Sequence, residues 1–499
     1  MFFLYKYLKL SHNINGDNMQ KSIWTENINE KSLPSLNEDM DCDVLIIGGG
    51  IAGISTAYKL KDENYNIVLI DKDKVGFGVS SKTTGKLTYM QGDIYTKISK
   101  IYDFKTAKKY LESQIDAIKI ATNIINENKI DCDFEEVDSY IFTNNSNLDK
   151  EKEFLEKLKI YNNTNKLPLN FPNEKAFYVK NTAVFHPLKY ILNLKKIILE
   201  KGVKIYENTK AIDLDIKGNK YLIKTEKGEI RATKVIITTH YPFFVIPGLI
   251  PFKIHQNRSY VVVSEEENKH FSAINIDTPS LSIRYHKDYI LLGGYSHHLS
   301  KKLDYEVEED KLINFHDKYF KNKIIYKWQV HDNMTTDYIP LIGKLNKNHP
   351  NLLIATGFNK WGMTNGVLTG EILGDLVLNK NNKYIDLFSP SRNTNLNKII
   401  NSLVNNFYIA KTYISNKLLT PKMKEAFITT INGTKCGVYV DKEGKKHIVK
   451  NICPHLKCNL VFNRADLTWD CPCHGSRFDI DGNLLEGPSV FNVKCPKKM

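Results

Sequence analysis

Hydrophobic positions along the chain follow two periodicities, and each predicts a different kind of element. Short apolar runs at 43–47 and 66–71 flank residues 51–60, where apolar residues recur at helical spacing. Runs that are apolar throughout are typical of parallel strands buried on both faces of a sheet. The pattern therefore predicts that the first domain opens with a strand–helix–strand unit of about 30 residues.

The later segments show the same two periodicities in a longer series. The pattern is helical from 101 to 158 and again at 188–199. Short alternating or apolar runs predict strands at 203–206, 211–214, 221–224, 234–237, 259–263, 289–292 and 351–355. A helix is predicted at 366–378, and a helical stretch at about 396–419 lies in a polar, Asn-rich segment. Together these elements predict a large α/β body.

Changes in residue composition and in the predicted elements divide the chain into four parts. Residues 1–40 are polar and rich in turn formers, and we interpret them as an arm laid over the first domain. The α/β body occupies 41–390, and a linker follows at 391–420. Residues 421–499 consist of short strands and turns, which predicts a compact all-β domain. Met19 is an alternative start to Met1.

Composition excludes several classes of protein. The 499 residues correspond to roughly three domains, and 42 % hydrophobic residues are enough for a sizeable core, which excludes a disordered chain. The net charge of +14 favours nucleic acid or an anionic membrane surface as a partner. However, the lysines are interleaved with Asp, Glu and Asn, so we interpret them as a soluble surface and expect no stable nucleic-acid binding.

The apolar runs are too short for a membrane-spanning helix. None approaches the 18 or more residues that such a helix needs. The first residues carry neither the apolar length nor the small-residue cleavage site of a secretory signal. We therefore expect a cytoplasmic protein.

A glycine cluster joins the first predicted strand to the first predicted helix. Gly48, Gly50 and Gly53 match the pattern G-x-G-x-x-G, and Asp71 ends the next strand 21 positions after Gly50. Such glycines allow a tight turn and let the backbone approach a pyrophosphate at a helix N-terminus, while the acid accepts ribose hydroxyls. The context predicts a dinucleotide site. The alternative is a Gly-rich turn in an unrelated α/β protein.

Cysteines are unevenly placed, which points to metal or redox chemistry near the C-terminal end. Cys453, Cys458, Cys471 and Cys473 fall within 21 residues, together with His455 and His474. Two thiolates and two imidazoles at this spacing also suit zinc, so zinc stays an alternative. The cysteines outside the cluster are interpreted as isolated core or surface thiols; they are Cys42, Cys132, Cys436 and Cys495.

Three segments in the body resemble FAD-dependent oxidoreductases of the D-amino-acid oxidase type, which include glycine and sarcosine oxidases. These segments are the polar small-residue loop 76–88, the sequence DYIPLIG at 337–343 and the sequence ATGFNKWGMTNG at 355–366. The resemblance covers about 41–390 and implies a Rossmann-like FAD-binding domain with an interleaved α+β substrate domain. The implied FAD-binding parts are about 41–110, 180–255 and 335–390.

The resemblance also implies which residues contact FAD. Gly357, Gly362, Met363 and Thr364 are expected beside the flavin. The residues expected near the phosphates or the ring are Ser80, Ser81 and Thr84, and Ile212 is expected at the adenine half. A second nucleotide fingerprint is absent from the sequence, so a dedicated NAD(P)H domain is not expected.

One departure from the resemblance concerns the substrate. Amino-acid oxidases of this type often carry Arg-Pro-x-Thr-x-Asp where this chain has DNMTTD at 332–337. Asp332 repels a carboxylate and suits an amine or guanidine, unless it faces solvent. The candidate residues on the substrate side, most of which could equally be packing groups, are Arg258, Tyr260, Tyr285, His297, Asp332 and Trp361.

Residues from about 421 to 499 resemble the Rieske iron–sulfur domain, particularly the disulfide-containing form of respiratory cytochrome bc complexes. The resemblance implies that Cys453 and Cys471 bind one iron and that His455 and His474 bind the other. It also implies a disulfide between the remaining cluster cysteines, Cys458 and Cys473, although a reduced pair is the alternative in a cytoplasmic protein.

Two further positions influence the reduction potential expected for such a cluster. Ser476 matches the residue whose hydroxyl bonds a bridging sulfide. Phe478 stands where respiratory proteins usually carry tyrosine, so one hydrogen bond to the cluster sulfur is lost. We therefore predict a lower potential than in the respiratory branch.

These observations favour a flavoenzyme that oxidises a small amine, amino acid or related substrate. The electrons pass one at a time through the [2Fe-2S] cluster to an external acceptor, a protein or a quinone. Alternatives are a reductase with inward electron flow and an RNA-modifying or redox-sensing flavoprotein. A Rieske oxygenase is disfavoured because the sequence lacks two histidines four or five residues apart for a mononuclear iron. Whether the Rieske domain docks beside the flavin or shuttles stays open.

Overall fold

The computed structural model describes residues 22–145, 147–164, 166–169, 173–243, 250–300, 305–392, 396–418 and 425–495. The first 21 residues of the expected arm therefore lie outside the described residues, and so do the outer ends of the predicted β domain. In the described part of the chain no helix has both the length and the apolar character needed to cross a bilayer.

A largely parallel sheet forms the first half of the body. In spatial order its strands are β16 (Leu341–Asn346), β17 (His349–Thr356), β10 (Glu229–Ile237), β1 (Met40–Ile47), β2 (Ile67–Ile70) and β7 (Lys204–Tyr206). The hairpin of β8 (Ala211–Lys217) and β9 (Lys220–Thr225) continues from β10. The apolar residues of β1 and β2 are buried, as expected for strands covered on both faces.

Two helices pack closely together on this sheet. They are α1 (Ile51–Leu60) and α8 (Gly362–Val377). A Cβ atom at Gly370 would lie 2.6 Å from the backbone oxygen of Ser55, and one at Gly366 would lie 2.4 Å from the Ile51 side chain. The glycines of α8 therefore allow the two helix backbones to approach each other.

A second, mixed sheet forms the other half of the body. In spatial order its strands are β15 (Ile324–Thr335), β11 (Ile254–Glu265), β14 (Tyr289–His298), β13 (Leu281–His286), β12 (Phe271–Asn275), β4 (Glu135–Thr143), β6 (Lys175–Val184) and β3 (Lys86–Leu87), with β5 (Asn162–Thr164) on β6. The long strands β11 and β15 pair along most of their length.

The remaining helices lie around these sheets. They are α2 (Ile94–Ile101), α3 (Phe104–Glu127), α4 (Asp149–Lys157), α5 (Pro187–Glu200), α6 (Ile250–Lys253), α7 (Tyr305–Tyr319), α9 (Ile385–Phe388) and α10 (Leu396–Leu418), with 3-10 turns at Ile23–Thr25 and Val79–Ser81. Strand β4 lies inside the region 101–158 that was predicted to be helical, so that prediction is wrong there. Burial alternates along the first half of β4. This period-two pattern is short and lies between Lys- and Glu-rich helical segments, so it was not recognised as a strand.

The C-terminal part contains two small antiparallel sheets. The first consists of β18 (Ala426–Ile431), β19 (Thr434–Val440) and β20 (Lys446–Lys450). The second consists of β21 (Val461–Asn463), β22 (Thr468–Asp470), β23 (Arg477–Phe478) and β24 (Leu484–Glu486). The Trp469 ring joins the sheets, because a Cβ at Gly437 would lie 2.4 Å from it.

The described part of the arm is anchored to the body. The side chain of Trp24 is fully buried, and its indole N–H donates to the backbone oxygen of Thr83 at 2.6 Å. The Arg284 guanidinium lies 4.7 Å from the Trp24 ring centroid. The arm therefore covers the polar loop that follows β2.

Candidate active site and metal centre

A deep cavity opens at the carboxyl ends of the parallel strands. The glycine loop, the loop after β2 and the start of α8 all contribute to its wall. The predicted cofactor residues found in this wall are Gly48, Gly50, Asp71, Ser80, Thr84, Gly357, Gly362 and Met363. In open α/β sheets ligands bind at this edge of the strands.

The glycine loop has the close packing that its spacing predicts. Gly48 has φ +107°, and a Cβ atom there would lie 2.7 Å from the backbone oxygen of Thr238. A Cβ at Gly53 would lie 1.9 Å from the Gly48 oxygen. Gly53 is therefore outside the cavity wall and serves helix–strand packing, the third role of the dinucleotide pattern.

Asp71, which directly follows β2, holds the glycine loop in place through hydrogen bonds. Its carboxylate accepts the backbone N–H of Gly49 at 2.7 Å and that of Asp73 at 2.8 Å. Burial raises the pKa of Asp71 to about 6, although these two hydrogen bonds act in the opposite direction. The carboxylate borders the cavity, where it can accept ribose hydroxyls.

Besides Gly53, three of the predicted cofactor residues lie outside the cavity wall. Ala211 borders the cavity in place of Ile212, because neighbouring residues of a strand point to opposite faces. The Ser81 hydroxyl donates to the Gly78 oxygen at 2.9 Å. The Thr364 hydroxyl accepts the backbone N–H of Thr88 at 3.2 Å, so it links the start of α8 to the residue that follows β3.

The candidate substrate residues separate into two groups. Asp332 and Trp361 border the cavity. Tyr260 touches it too, but its buried ring belongs to the core of the mixed sheet, and its hydroxyl lies 3.0 Å from His297 Nε2. Tyr285 is a core residue of the same sheet. His297 and Tyr285 therefore act as packing groups in this structure.

Asp332 is half-buried in the cavity wall, so the alternative that it simply faces solvent is wrong. Its carboxylate accepts the Ser259 hydroxyl at 2.9 Å. Burial raises the pKa of Asp332 and lowers that of Lys360, while the opposite charges of the two residues act against both shifts. At this part of the wall Asp332 and Lys360 thus present an acidic and a basic side chain.

Arg258 is not a substrate residue in this structure. Its side chain is fully buried, and Nη2 lies 2.5 Å from Asp470 Oδ2 in the C-terminal domain. Nη1 donates to Gln329 at 2.6 Å, and the guanidinium stacks over Tyr305. Burial alone would raise the pKa of Asp470, but Arg258 and Arg477 together lower it to about 2. The arginine therefore joins two domains.

The cysteine–histidine loops meet at one point. Cys453 and Cys471 are buried, and the rings of His455 and His474 lie 5.0 Å apart between centroids. Both ring nitrogens of His455 and Nδ1 of His474 are buried without a hydrogen-bond partner. A buried imidazole without a partner is costly unless it binds a ligand. Two thiols and two such imidazoles fit the ligand set of a Rieske cluster.

The two other cluster cysteines, Cys458 and Cys473, form a disulfide between the loops. The reduced pair is therefore not the state found here. Two cysteines that the sequence left isolated also lie together, since the sulfur atoms of Cys436 and Cys495 are 2.9 Å apart. These two cysteines are 59 positions apart, so no local sequence pattern predicts that they lie together.

The C-terminal domain also forms part of the cavity wall. Residues 484–490 border the cavity, and Glu486 lies 2.6 Å from Lys82 Nζ and 3.5 Å from His331 Nδ1. Lys72 donates to the Leu485 backbone oxygen at 2.7 Å. The domain is thus docked beside the cavity in this structure.

One aromatic side chain lies between the two centres. Tyr241 borders the cavity, and its ring centroid lies 6.2 Å from each of His455 and His474. The ring is buried, and its hydroxyl has no hydrogen-bond partner among the described residues. The cavity and the cluster loops are therefore separated at this point by a single side chain.

Comparison with known proteins agrees with this geometry. Residues 43–376 match the family model of the FAD-dependent oxidoreductases, and residues 417–497 match that of the Rieske [2Fe-2S] domain. This chain belongs to the FAD-dependent oxidoreductase family. Its C-terminal domain is a Rieske [2Fe-2S] domain, and the match rules against a structural zinc site.

Other proteins are similar in sequence to one or both domains of this chain. The Bacillus subtilis (strain 168) protein YhfW, which carries a Rieske 2Fe-2S iron–sulfur protein name, is 35 % identical over 95 % of this chain and 97 % of its own length. The gamma-glutamylputrescine oxidoreductase of Escherichia coli (strain K12) is 23 % identical over 69 % of this chain and 85 % of its own length.

Solved structures show the same fold in the body. The glycine oxidase of Geobacillus kaustophilus superposes with a TM-score of 0.57 at 16 % identity, covering 71 % of this chain and 100 % of that one. The L-amino acid deaminase of Proteus vulgaris gives a TM-score of 0.59 at 15 % identity, covering 73 % and 99 %.

The cofactors of this FAD-dependent oxidoreductase are therefore FAD and a [2Fe-2S] cluster. The residues present fit both groups, since the glycine cradle leaves no room for a Cβ and the cluster loops hold unpartnered imidazoles. Sequence reasoning missed the residues that connect the two centres, Tyr241, His331 and Glu486. Glu486 precedes Gly487 and Pro488, which are typical of a turn, and no pattern in the sequence marks Tyr241 or His331.

Proposed function

We propose that this oxidoreductase removes electrons from a small amine-bearing substrate and passes them one at a time through its own cluster to an external acceptor. When bound, FAD supplies two-electron oxidation and the [2Fe-2S] cluster supplies one-electron transfer. The observation that carries the proposal is the shared boundary of the two sites. Tyr241 belongs to the cavity wall and contacts both cluster histidines.

The docked arrangement supports transfer within one molecule. Arg258 and Asp470 form a fully buried ion pair across the domain boundary. Removing either partner by substitution would leave the other charge buried and less compensated in the docked molecule, which costs about 3–5 kcal/mol. Lys82 and Glu486 add a second pair at the edge of the cavity. These contacts hold the cluster loops against the cavity.

The cavity wall supports an amine as the substrate group. The Asp332 carboxylate can accept hydrogen bonds from a substrate ammonium and orient it, while Trp361 excludes water beside it. Lys360 is placed to bind an acidic group of the same substrate. The E. coli relative is named for gamma-glutamylputrescine, which agrees with an amine substrate.

A substrate panel under anaerobic conditions tests the proposal. Purified protein is mixed with primary amines, N-methyl amines, amino acids and 2-hydroxy acids, while flavin absorbance and the EPR signal of the reduced cluster are followed together. We expect amine-bearing compounds to bleach the flavin and then produce the cluster signal, and 2-hydroxy acids to do neither. Flavin bleaching that is never followed by reduction of the cluster contradicts the relay.

The variant Asp332→Asn tests the assignment of the amine site. Loss of the carboxylate removes a charge-assisted hydrogen bond, so KM for the best amine should rise about tenfold or more. The matched control is Asp43→Asn, which changes a carboxylate outside the cavity and should leave KM unchanged. An unchanged KM in Asp332→Asn would assign the amine to another group.

A further inference from the structure

Two cysteines of the Rieske domain lie in contact although neither belongs to the cluster loops. Cys436 lies on β19 and Cys495 comes 59 positions later, and their sulfur atoms are 2.9 Å apart. That separation is about 0.9 Å longer than the bond of a disulfide. A small movement of either side chain therefore brings the sulfur atoms to bonding distance. We call Cys436 and Cys495 the second cysteine pair.

Backbone contacts hold the two cysteines near each other. Cys436 is opposite Lys450 in the pairing of β19 with β20. The N–H of Lys450 donates to the backbone oxygen of Val493 at 2.7 Å, and Lys494 forms a β-bridge with the same strand. The segment that leads into Cys495 is therefore fixed beside the end of β20 by the main chain, so the contact between the sulfur atoms does not depend on side chains alone.

The surroundings of the second cysteine pair do not suit a metal ion. Among the residues that the structure describes, three or more potential ligand side chains converge only at the cluster loops, where Cys458, Cys471 and Cys473 meet. The second cysteine pair thus offers two thiols without a third ligand, whereas a structural zinc site takes four. Two thiols in contact are instead the arrangement from which a disulfide forms.

The two thiols differ in their access to solvent. Cys436 is fully buried, and burial together with the neighbouring Cys495 thiol raises the pKa of Cys436 to about 12. Cys495 is half-buried. Because a thiol must be reached and ionised before it attacks a disulfide, Cys495 is the one that a reagent from solution meets first.

We propose that the second cysteine pair is a redox site that forms a disulfide by exchange with a low-molecular-weight disulfide. The Cys495 thiolate attacks one sulfur of the small disulfide, whose S–S bond breaks and releases one small thiolate. The Cys436 sulfur then loses its proton and attacks the Cys495 sulfur, which releases the second small thiol. In total, two electrons and two protons pass from the pair to the small molecule. This inference does not depend on the proposed function.

The new bond would fasten the chain close to the cluster. Lys450, which is opposite Cys436, precedes the cluster ligand Cys453 by three residues. The bond would also join positions 59 apart, and such a link restricts the unfolded chain. The oxidised Rieske domain should therefore unfold at a higher temperature than the reduced one.

Peptide mapping of the full-length holoprotein tests the inference. The protein is treated with oxidised glutathione, remaining thiols are alkylated in denaturant, and the peptides are separated without reduction. We expect a peptide that links Cys436 to Cys495. Reduced glutathione should remove this link and leave the disulfide of Cys458 and Cys473 intact, because both of those cysteines are buried. The unfolding midpoint, followed by cluster absorbance, should rise by about 5 °C or more on oxidation.

Cys495→Ser should lose both the link and the rise in the midpoint. The matched control is Cys42→Ser, which removes a thiol of the FAD-binding half and should keep both. The visible spectrum of the cluster reports that both variants are folded and loaded. Complete alkylation of Cys436 and Cys495 after the treatment overturns the inference, and so does glutathione that stays on Cys495 without a link to Cys436. A link without any rise in the midpoint contradicts the stabilising effect.

Discussion

Asp71 illustrates how one buried carboxylate links protonation to cofactor binding. It accepts two backbone N–H groups and borders the cavity, and burial raises its pKa to about 6. The ionised form is the better acceptor for ribose hydroxyls, so FAD binding favours loss of the proton. Protonation and FAD binding therefore compete at this residue.

The consequence is a defined pH dependence of FAD affinity. Above pH 6 the carboxylate is already ionised and affinity is constant, whereas below pH 6 each pH unit should weaken binding by up to about tenfold. Fluorescence titration of the apoprotein with FAD between pH 4.5 and 8 measures this. Asp71→Asn should bind more weakly with a flat profile, and Asp43→Asn should keep the wild-type profile. A flat wild-type profile would contradict the role of Asp71.

A second prediction at the residue scale concerns Phe478 in the Rieske domain. Its ring is fully buried on β23, so the hydroxyl in Phe478→Tyr would enter the domain core beside the cluster loops. One hydrogen bond of about 1.4 kcal/mol to the reduced cluster raises a one-electron potential by about 60 mV. A redox titration followed by EPR measures the shift.

Phe462→Tyr is the matched control for this change. Phe462 lies in the same core, where its ring stacks on Tyr439, so its hydroxyl should leave the potential unchanged. An equal shift in both variants, or no shift in Phe478→Tyr, would contradict a hydrogen bond from this position to the cluster.

At the scale of elements, local spacing in the sequence predicted most of what is local in the structure. The turn from β1 into α1 and the cluster loops each lie within about 30 residues, so the residue types needed for the chemistry are visible together in the sequence. Helix α1 was predicted at its observed bounds. Strand β4 was missed because its partners β6 and β12 are distant in the chain and its own pattern is short.

Contacts between elements could not be predicted in the same way. Arg258 and Asp470 are 212 positions apart, and nothing in the neighbourhood of Arg258 distinguishes a domain-joining arginine from a substrate-binding one. Ile212 was placed one residue from the cavity wall because a strand reverses its facing side at every step. Sequence patterns therefore indicated the residue types of the site, while packing decided which of them meet.

At the scale of the whole molecule, the buried Arg258–Asp470 pair makes docking a measurable contribution to stability. Asp470→Asn leaves the buried Arg258 guanidinium without its carboxylate and also removes the contact with Arg477 at 3.4 Å, which should lower the free energy of unfolding by about 3–5 kcal/mol. Because the pKa of Asp470 is lowered to about 2, its contribution is complete above pH 4 and is lost as the pH falls toward 2. Denaturation followed by cluster absorbance measures both effects.

Asp41→Asn is the control for that experiment. Asp41 pairs with Arg231 at the surface, where both side chains are more than half exposed, so the change should have little effect. Equal stability of Asp470→Asn and Asp41→Asn would contradict a docked Rieske domain in solution.

The central claim is that electrons pass from the cavity to the cluster within one docked molecule. Rapid mixing of the anaerobic protein with its best amine, at several protein concentrations, tests it most directly. The account predicts that the cluster EPR signal follows flavin bleaching with a first-order rate independent of protein concentration. A rate that rises in proportion to protein concentration would show transfer between molecules and would contradict the account.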